Sequence, residues 1–90
     1  MKHIKIKITG NVQGVFFRVH IKAFAIRNSI TGYTKNIDNR CLEVVAEGED
    51  NAIYELIEYC KKGPEDAKVE KLDIEEQDYK NEFKEFSIQY

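Results

Sequence analysis

Hydrophobic and polar positions alternate over residues 4–9, where each isoleucine is followed by a lysine or a threonine. A period of two is typical of a β-strand with one buried face. After the glycine-bearing segment 10–15, the apolar residues recur at helical spacing. They predict a helix that begins at about Phe17 and ends at the Asn28-Ser29 pair. The residues on its apolar face are Phe17, Ile21, Phe24 and Ala25.

Two further strands and a second helix follow. Residues 31–36 predict a strand, residues 38–40 a turn, and residues 42–46 an alternating third strand that ends at Gly48. Glu49 and Asp50 then place negative charge where a helix start favours it. Four apolar residues recur behind them at helical spacing, namely Ile53, Leu56, Ile57 and Cys60.

The second helix ends at residues 61–64, because cations followed by glycine and proline are a helix stop. Leu72 and Ile74 mark a fourth strand, with Val69 out of phase, and residues 86–90 mark a short fifth strand. The order β-α-β-β-α-β plus a C-terminal strand predicts a ferredoxin-like α/β sandwich of the α+β class. We expect an antiparallel sheet with two helices on one face, in one domain over residues 1–90.

Charge is divided unevenly along the chain. The net charge of the 90 residues is −2, but residues 1–40 carry +7 and residues 41–90 carry −9. An acidic chain is a poor nucleic-acid binder, whereas a basic first half suits a small anionic ligand. The alternative is that the two halves interleave in space and the charge polarity vanishes.

Composition narrows the class of protein further. Two cysteines are too few for a disulfide framework, and no His, Cys and carboxylate group has metal-ligand spacing. The chain has no apolar run of transmembrane length, and its first residues alternate instead of forming a secretory apolar block. We therefore expect a reduced, cytoplasmic monomer with no metal, no cofactor, no nucleic-acid partner and no membrane partner.

Residues 10–18 form the first candidate site. Glycines allow torsions that point successive N–H groups at one anion, and a helix start adds its own free N–H groups. Arg18 falls in the first turn of the predicted helix, where the helix macrodipole disfavours a cation. An anion bound between the helix start and the Arg18 guanidinium would remove this electrostatic repulsion. Its planar fork can grip two phosphate oxygens. The alternatives are an ordinary turn and a surface arginine paired with a carboxylate.

Asn36 is the second candidate, because asparagine is a poor strand former and this one lies at a predicted strand end. Its amide donates and accepts at once, which suits the orientation of a water molecule. The alternative is a turn asparagine. Other polar residues have plainer interpretations: His3 is solvated near the terminus, His20 lies on the helix surface, and Cys60 lies in the core. Cys41 falls on the other face of its strand from the apolar residues, so we expect no Cys41–Cys60 disulfide.

Together the two segments resemble the acylphosphatase family. Residues 10–18, Gly-Asn-Val-Gln-Gly-Val-Phe-Phe-Arg, are similar to its G-x-V-Q-G-V-x-F-R loop at every fixed position. The family pattern from glycine-aromatic through asparagine to a later glycine is matched by Gly32, Tyr33, Lys35, Asn36 and Gly48. Residues 44–48, the Gly-Pro pair at 63–64 and the element order also fit, so the likeness covers essentially the whole chain.

The resemblance implies an enzyme, an acylphosphatase that hydrolyses the carboxyl-phosphate bond of acyl phosphates to a carboxylate and inorganic phosphate, without a metal. Carried over by position, Arg18 and loop backbone amides hold the phosphoryl group, and Asn36 orients the attacking water. The phosphate-binding residues so implied are Gln13, Gly14, Val15, Phe16, Phe17 and Arg18. A related domain occurs in larger carbamoyl-transfer proteins, and we expect the free-standing enzyme here. The competing hypothesis is a non-catalytic module that binds phosphate or an acyl phosphate.

Four positions depart from the family's usual residues, namely Ser29, Thr34, Arg40 and Leu42. Thr34 replaces a small apolar residue or cysteine, and Leu42 replaces valine. Arg40 and Ser29 stand where the family often has a turn glycine. We expect the neighbours Asn39 and Asn28 to supply the left-handed backbone conformation in these two turns.

Overall fold

The computed structural model describes residues 1–13 and 16–90, and its elements follow the predicted order. The predicted fold class is confirmed, because five strands form one sheet and two helices pack on it. The elements are β1 (Lys2–Asn11), α1 (Phe17–Arg27), β2 (Thr31–Asp38), β3 (Cys41–Gly48), α2 (Asp50–Lys62), β4 (Lys68–Gln77) and β5 (Phe86–Gln89).

The strand order across the sheet is β4-β1-β3-β2-β5. The first four of these strands pair antiparallel with their neighbours, as predicted. β5 pairs parallel with β2, so the sheet is mixed and not antiparallel throughout. The alternation of β5 predicts a half-buried strand, but it does not show which strand β5 pairs with or in which direction. The sequence therefore did not predict the parallel pair of β5 and β2.

The hydrophobic core lies between the sheet and the two helices. α1 packs on β2 and β5, and α2 packs on β1, β3 and β4. Phe17, Ile21 and Ala25 are the buried residues of α1, as the helical spacing predicted. On α2 the buried positions are Ile53, Leu56 and Cys60. The isoleucines of β1 at positions 4, 6 and 8 complete the core from the sheet.

A β-bulge explains why Val69 is out of phase with the rest of β4. Thr9 pairs with Lys71 but Gly10 pairs with Val69, so Glu70 is an extra residue on β4. The extra residue returns Val69 to the core face, where Val69, like Leu72, packs against the buried core. Gly10 has φ +147, and a Cβ there would overlap the carbonyl oxygen of Lys68. The bulge therefore requires glycine at position 10.

The expectation that Asn28 and Asn39 supply left-handed backbone is wrong. Asn28 has φ −109, and Ser29 itself takes the left-handed conformation with φ 57. Asn39 is not among the positive-φ residues of the described chain. The hairpin turn is closed instead by a side chain, because the Asp38 carboxylate accepts a hydrogen bond of 2.9 Å from the Arg40 backbone N–H.

The prediction that His3 is solvated is also wrong, since His3 is only 3% exposed. Its Nδ1 lies 2.8 Å from Oε2 of Glu47, which is also buried. The Glu47 carboxylate further accepts backbone N–H groups of Lys80 and Glu82, at 3.0 and 2.8 Å. These bonds hold the connection between β4 and β5 over the sheet face opposite the helices, so β3 is buried on both faces.

The basic and acidic halves of the chain interleave, as the alternative interpretation of the charge pattern proposed. β1 lies between β3 and β4, and two of its three lysines pair with acidic residues of those strands. Lys5 pairs with Glu43 at 3.2 Å and Lys2 with Glu76 at 3.1 Å. Both cysteines are free, in agreement with the expected absence of a Cys41–Cys60 bond. Of the helices in the described ranges, none has the length and apolar character to cross a membrane.

Candidate functional site

The two candidate segments meet at one edge of the sheet. β1 and β2 both run antiparallel to β3, so they are parallel to each other and end on the same side. The chain leaves β1 at Asn11 for the loop that precedes α1, and it reaches Asn36 near the end of β2. The topology therefore brings the described residues of the segment 10–18 and Asn36 to the same end of the fold.

Asn36 lies on the sheet face that carries the helices. It pairs with Leu42, which in turn pairs with Ile8, and residues paired across strands project from the same face. Leu42 and Ile8 are fully buried, whereas Asn36 is exposed at the end of this row. A β-bulge at Ile37 interrupts the ladder directly after Asn36, and such bulges redirect side chains at the ends of strands.

Hydrogen bonds join the loop to the β2–β3 hairpin. Gln13 Nε2 donates to the carbonyl oxygens of Asp38 and Cys41, the latter at 3.3 Å. The backbone N–H of Gly10 donates to the Arg40 carbonyl at 2.9 Å. Gln13, which the sequence places in the phosphate-binding loop, thus has a side-chain role in fastening that loop to the strand that carries Asn36.

The start of α1 has positive character without a side-chain cap. Phe16 occupies the N-cap with left-handed torsions, φ 56 and ψ 24, and its side chain makes no capping hydrogen bond. No acidic residue lies in the first turn, and Arg18 adds a cation there. Phe17 is buried and anchors this turn to the core. The predicted site residues Gly14 and Val15 lie outside the described residues.

A cavity of about 210 Å³ opens at Arg18. The Arg18 guanidinium lies 5.2 Å from the centroid of the Tyr90 ring. Within residues 1–13 and 16–90, Arg18 forms no salt bridge. Asn36 is not one of the described residues that line this cavity. The lining residues are Val12, Gln13, Phe16, Phe17, Arg18, Val19, Ile88 and Tyr90.

Sequence reasoning missed the part that β5 plays in this site. Ile88 and Tyr90 reach the cavity because β5 pairs parallel with β2, with Lys35 opposite Gln89. Tyr90 is 72 positions from Arg18 in the chain, so no local sequence pattern connects the two. Their proximity could be predicted only by knowing which strand β5 pairs with. His20 is exposed on α1, as expected.

The described residues offer a set of anion-binding groups at this edge and no cluster of metal ligands. Over residues 1–13 and 16–90, no group of three or more His, Cys, Asp or Glu side chains is placed to hold a metal ion. At the hairpin turn, the Asp38 carboxylate accepts from the Arg40 backbone N–H, and the Arg40 side chain pairs with Glu70. A guanidinium and a helix start are groups that attract anions, and Asn36 lies at the same end of the sheet as both.

Comparison with known proteins agrees with this arrangement. The acylphosphatase family profile matches residues 4–88. An acylphosphatase of Syntrophus aciditrophicus is 41% identical over 90 residues, covering 100% of this chain and 94% of the relative. The crystal structure of acylphosphatase from Bacillus subtilis superposes with a TM-score of 0.94 at 33% identity and covers 100% of both chains. A full-length HypF in a phosphate- and nucleotide-bound form matches with a TM-score of 0.86 at 27% identity, over 99% of this chain and 12% of that one.

The fold defines a small α+β protein whose sheet carries two helices and whose first strand is followed by its first helix. The chain belongs to the acylphosphatase family. It is therefore a hydrolase, and the activity that this membership supports is the hydrolysis of acyl phosphates.

Proposed function

We propose that the protein cleaves the carboxyl-phosphate bond of small acyl phosphates by direct attack of water on phosphorus. In this mechanism Arg18 and the loop backbone amides hold the phosphoryl group, and Asn36 orients the attacking water. The products are a carboxylate and inorganic phosphate. The backbone amides proposed to contribute are those of Gln13, Gly14, Val15, Phe16, Phe17 and Arg18.

The observation that carries the proposal is the position of Arg18. Its guanidinium faces a cavity at the start of α1 and is not neutralised by a described carboxylate. Two sources of positive potential, the helix start and the guanidinium, thus lie together without a carboxylate partner from the described residues. A dianionic phosphoryl group supplies that partner, and the planar fork of arginine matches two of its oxygens.

The placement of Asn36 supports its role as the water-orienting residue. Asn36 is exposed, lies on the helix-covered face, and is at the sheet end where the loop is fastened through Gln13. A carboxamide can accept one hydrogen of a water molecule and donate to its oxygen, which fixes the direction of attack. Because Asn36 does not line the Arg18 cavity, we assign it to the rim, on the side from which water approaches.

The proposed chemistry needs few groups. A carboxylate is a good leaving group, so no general acid has to protonate it. Phosphoryl transfer passes through a loose transition state, in which positioning and charge stabilisation supply most of the catalysis. The phosphoryl oxygens can take the proton of the water, and we propose that neither a metal nor a cofactor takes part. We further propose a single domain over residues 1–90 that acts as a cytoplasmic monomer.

The first experiment is an acetyl phosphate hydrolysis assay on the purified protein, before and after exhaustive chelation. We expect turnover that survives chelation and competitive inhibition by inorganic phosphate, because the loop recognises the tetrahedral anion itself. The variant Arg18→Ala controls for contaminating phosphatases, and Arg27→Ala, at the other end of the same helix, controls for loss of positive charge. Phosphate binding without turnover would contradict the proposed enzyme activity and favour the competing hypothesis of a non-catalytic binding module.

A further inference from the structure

We propose that Thr34 is a positioning residue for Asn36: in the substrate complex its buried hydroxyl accepts a hydrogen bond from the Asn36 carboxamide and fixes the orientation of that carboxamide toward the attacking water. The proposal rests on the function proposed above, in which Asn36 orients the water. Three features of β2 carry it, namely the unpaired hydroxyl of Thr34, the apolar surroundings of that hydroxyl, and the position of Asn36 on the same strand face.

The hydroxyl of Thr34 is buried without a partner. Thr34 is 0% exposed. Within residues 1–13 and 16–90, its Oγ1 is the only buried side-chain nitrogen or oxygen atom that lacks a hydrogen-bond partner. A buried hydroxyl in this condition destabilises the fold, because it has given up its hydrogen bonds to water and gained none in return. Buried polar atoms are normally paired, so this exception requires a reason.

Packing gives no reason for a hydroxyl at position 34. Thr34 pairs with Val44 on β3 and with Ile88 on β5, so its neighbours across the sheet are aliphatic. Valine has nearly the shape of threonine and fills such a place without an unpaired polar atom. Position 34 is also one of the four at which the sequence departs from the usual residues of the family. A local rule broken inside an otherwise consistent core is typical of a functional site.

Asn36 is the polar residue that follows Thr34 on the same face of β2. Alternate residues of a strand share a face, and their backbone positions lie about 6.6–6.8 Å apart. The Thr34 hydroxyl is one bond from its Cβ, and the carboxamide atoms of Asn36 are two bonds from theirs. When the two groups face each other, the gap between them is about the length of one hydrogen bond. Asn36 is exposed, so its carboxamide can turn toward Thr34.

A bond from Asn36 to Thr34 leaves the carboxamide able to orient water. The NH₂ group has two donors, so one N–H can be given to Thr34 Oγ1 while the other N–H and Oδ1 remain for the water molecule. The bond selects one of the two flipped orientations of the amide and fixes its plane. Less side-chain freedom is then lost in the transition state, where the direction of attack matters most.

The test compares two substitutions at position 34 in an acetyl phosphate assay. Thr34→Val is expected to lower kcat by about tenfold, with the inhibition constant of phosphate within about twofold of wild type and an equal or higher melting temperature. Thr34→Ser keeps the hydroxyl and is expected to retain kcat within about twofold, although loss of a buried methyl lowers its melting temperature. A purely structural role would make activity follow stability, whereas here the two move in opposite directions.

Two further variants connect the effect to Asn36. In the Asn36→Ala background, Thr34→Val is expected to cause no additional loss of kcat, because the group that it positions is gone. The matched control is Thr31→Val, which removes a hydroxyl from the other end of the same strand. It should leave kcat at the wild-type value.

The outcomes separate this proposal from the proposed function. A wild type that hydrolyses no acyl phosphate contradicts the function itself and removes the basis of the proposal. If the wild type is active and Thr34→Val keeps kcat within about twofold, Thr34 does not position Asn36. Equal losses of kcat in Thr34→Val and Thr34→Ser would assign the effect to shape and not to the hydroxyl. An undiminished loss in the Asn36→Ala background would show that Thr34 acts independently of Asn36, and either result overturns the proposal.

Discussion

The side-chain amide of Gln13 donates a hydrogen bond of 3.3 Å to the carbonyl oxygen of Cys41. The same amide donates to the carbonyl of Asp38, so one side chain links the β1–α1 loop to both strands of the hairpin. The two proposed halves of the site, the phosphate loop and the strand that carries Asn36, are joined through this residue. Substitution of Gln13 tests whether this link between the loop and the hairpin contributes to phosphate binding.

We expect Gln13→Ala to weaken phosphate binding by roughly three- to tenfold, because the loop loses the two side-chain bonds that Gln13 makes to the hairpin and keeps the backbone bond of Gly10. The melting temperature should fall by about 4–8 °C for each ~1 kcal/mol of lost hydrogen bonding in a domain of this size. Steady-state inhibition by phosphate and thermal unfolding measure the two effects. Gln89→Ala, at an exposed position of β5, is the control. An unchanged inhibition constant would show that the loop holds its shape without Gln13.

Arg18→Lys is expected to damage phosphate binding and turnover together, although it keeps the positive charge. An ammonium is a point charge and cannot reproduce the two parallel bonds of the guanidinium fork. We expect at least a tenfold loss in phosphate affinity, about 1.4 kcal/mol, and a larger loss in kcat/KM. Arg27→Lys, in the last turn of the same helix, should behave as wild type. A lysine variant with normal phosphate affinity would exclude two-pronged binding.

Glu47→Gln is expected to destabilise the protein at neutral pH. The carboxylate accepts three hydrogen bonds, two from the backbone N–H groups of Lys80 and Glu82 and one from His3. A carboxamide presents one NH₂ group to these donors, which leaves a buried N–H without an acceptor at a cost of about 1–3 kcal/mol. Glu55→Gln, an exposed site on α2, should change the free energy of unfolding by less than ~0.5 kcal/mol.

The same carboxylate makes stability depend on pH. Burial raises the pKa of Glu47, but the hydrogen bonds from His3, Lys80 and Glu82 outweigh burial and leave that pKa below its ordinary value. A lowered folded-state pKa adds stability above the unfolded pKa of about 4.3, and this stability is lost as pH falls toward the folded value. The stability difference between wild type and Glu47→Gln should therefore shrink below pH ~4. A constant difference from pH ~7 to ~3 would contradict the role given to the charge.

Ser29→Gly should stabilise the protein, because Ser29 holds φ 57 after α1. A left-handed residue with a Cβ costs about 1–2 kcal/mol, and glycine offsets part of the gain through its unfolded-state entropy. We expect a net gain of roughly 0.5–1 kcal/mol in the free energy of unfolding. Ser87→Gly, inside β5, should change stability in the opposite direction. Equal effects at the two sites would remove the conformational explanation.

The features that the sequence predicted are those set by neighbouring residues. The segment 10–18 is contiguous in the sequence, and the strand before it and the helix start within it are both predicted by neighbouring residues. The burial of His3 could not be predicted, because it depends on a segment 77 positions away at Lys80. The burial of Glu47 has the same origin. Tyr90 approaches Arg18 through a parallel pairing that no local pattern encodes.

Asn36→Ala separates binding from catalysis. We propose that Asn36 contacts the attacking water, whose alignment counts most in the transition state, so its removal should lower kcat by roughly 10²-fold or more. Phosphate affinity should stay within about threefold of wild type, a change of only about 0.6 kcal/mol. Melting temperature should hardly move, because the hairpin turn is closed by Asp38 and Arg40 and not by Asn36.

The matched control for Asn36→Ala is Asn39→Ala, which removes an exposed carboxamide from the adjacent turn. It should retain wild-type kcat, because Asn39 lies beyond the bulge at Ile37 and outside the row that Asn36 shares with Leu42. Steady-state kinetics and a phosphate titration on both variants decide the matter. If Asn36→Ala keeps near-normal kcat, the water is oriented by another group; if it loses phosphate affinity as well, Asn36 binds the phosphoryl group and its role merges with that of Arg18.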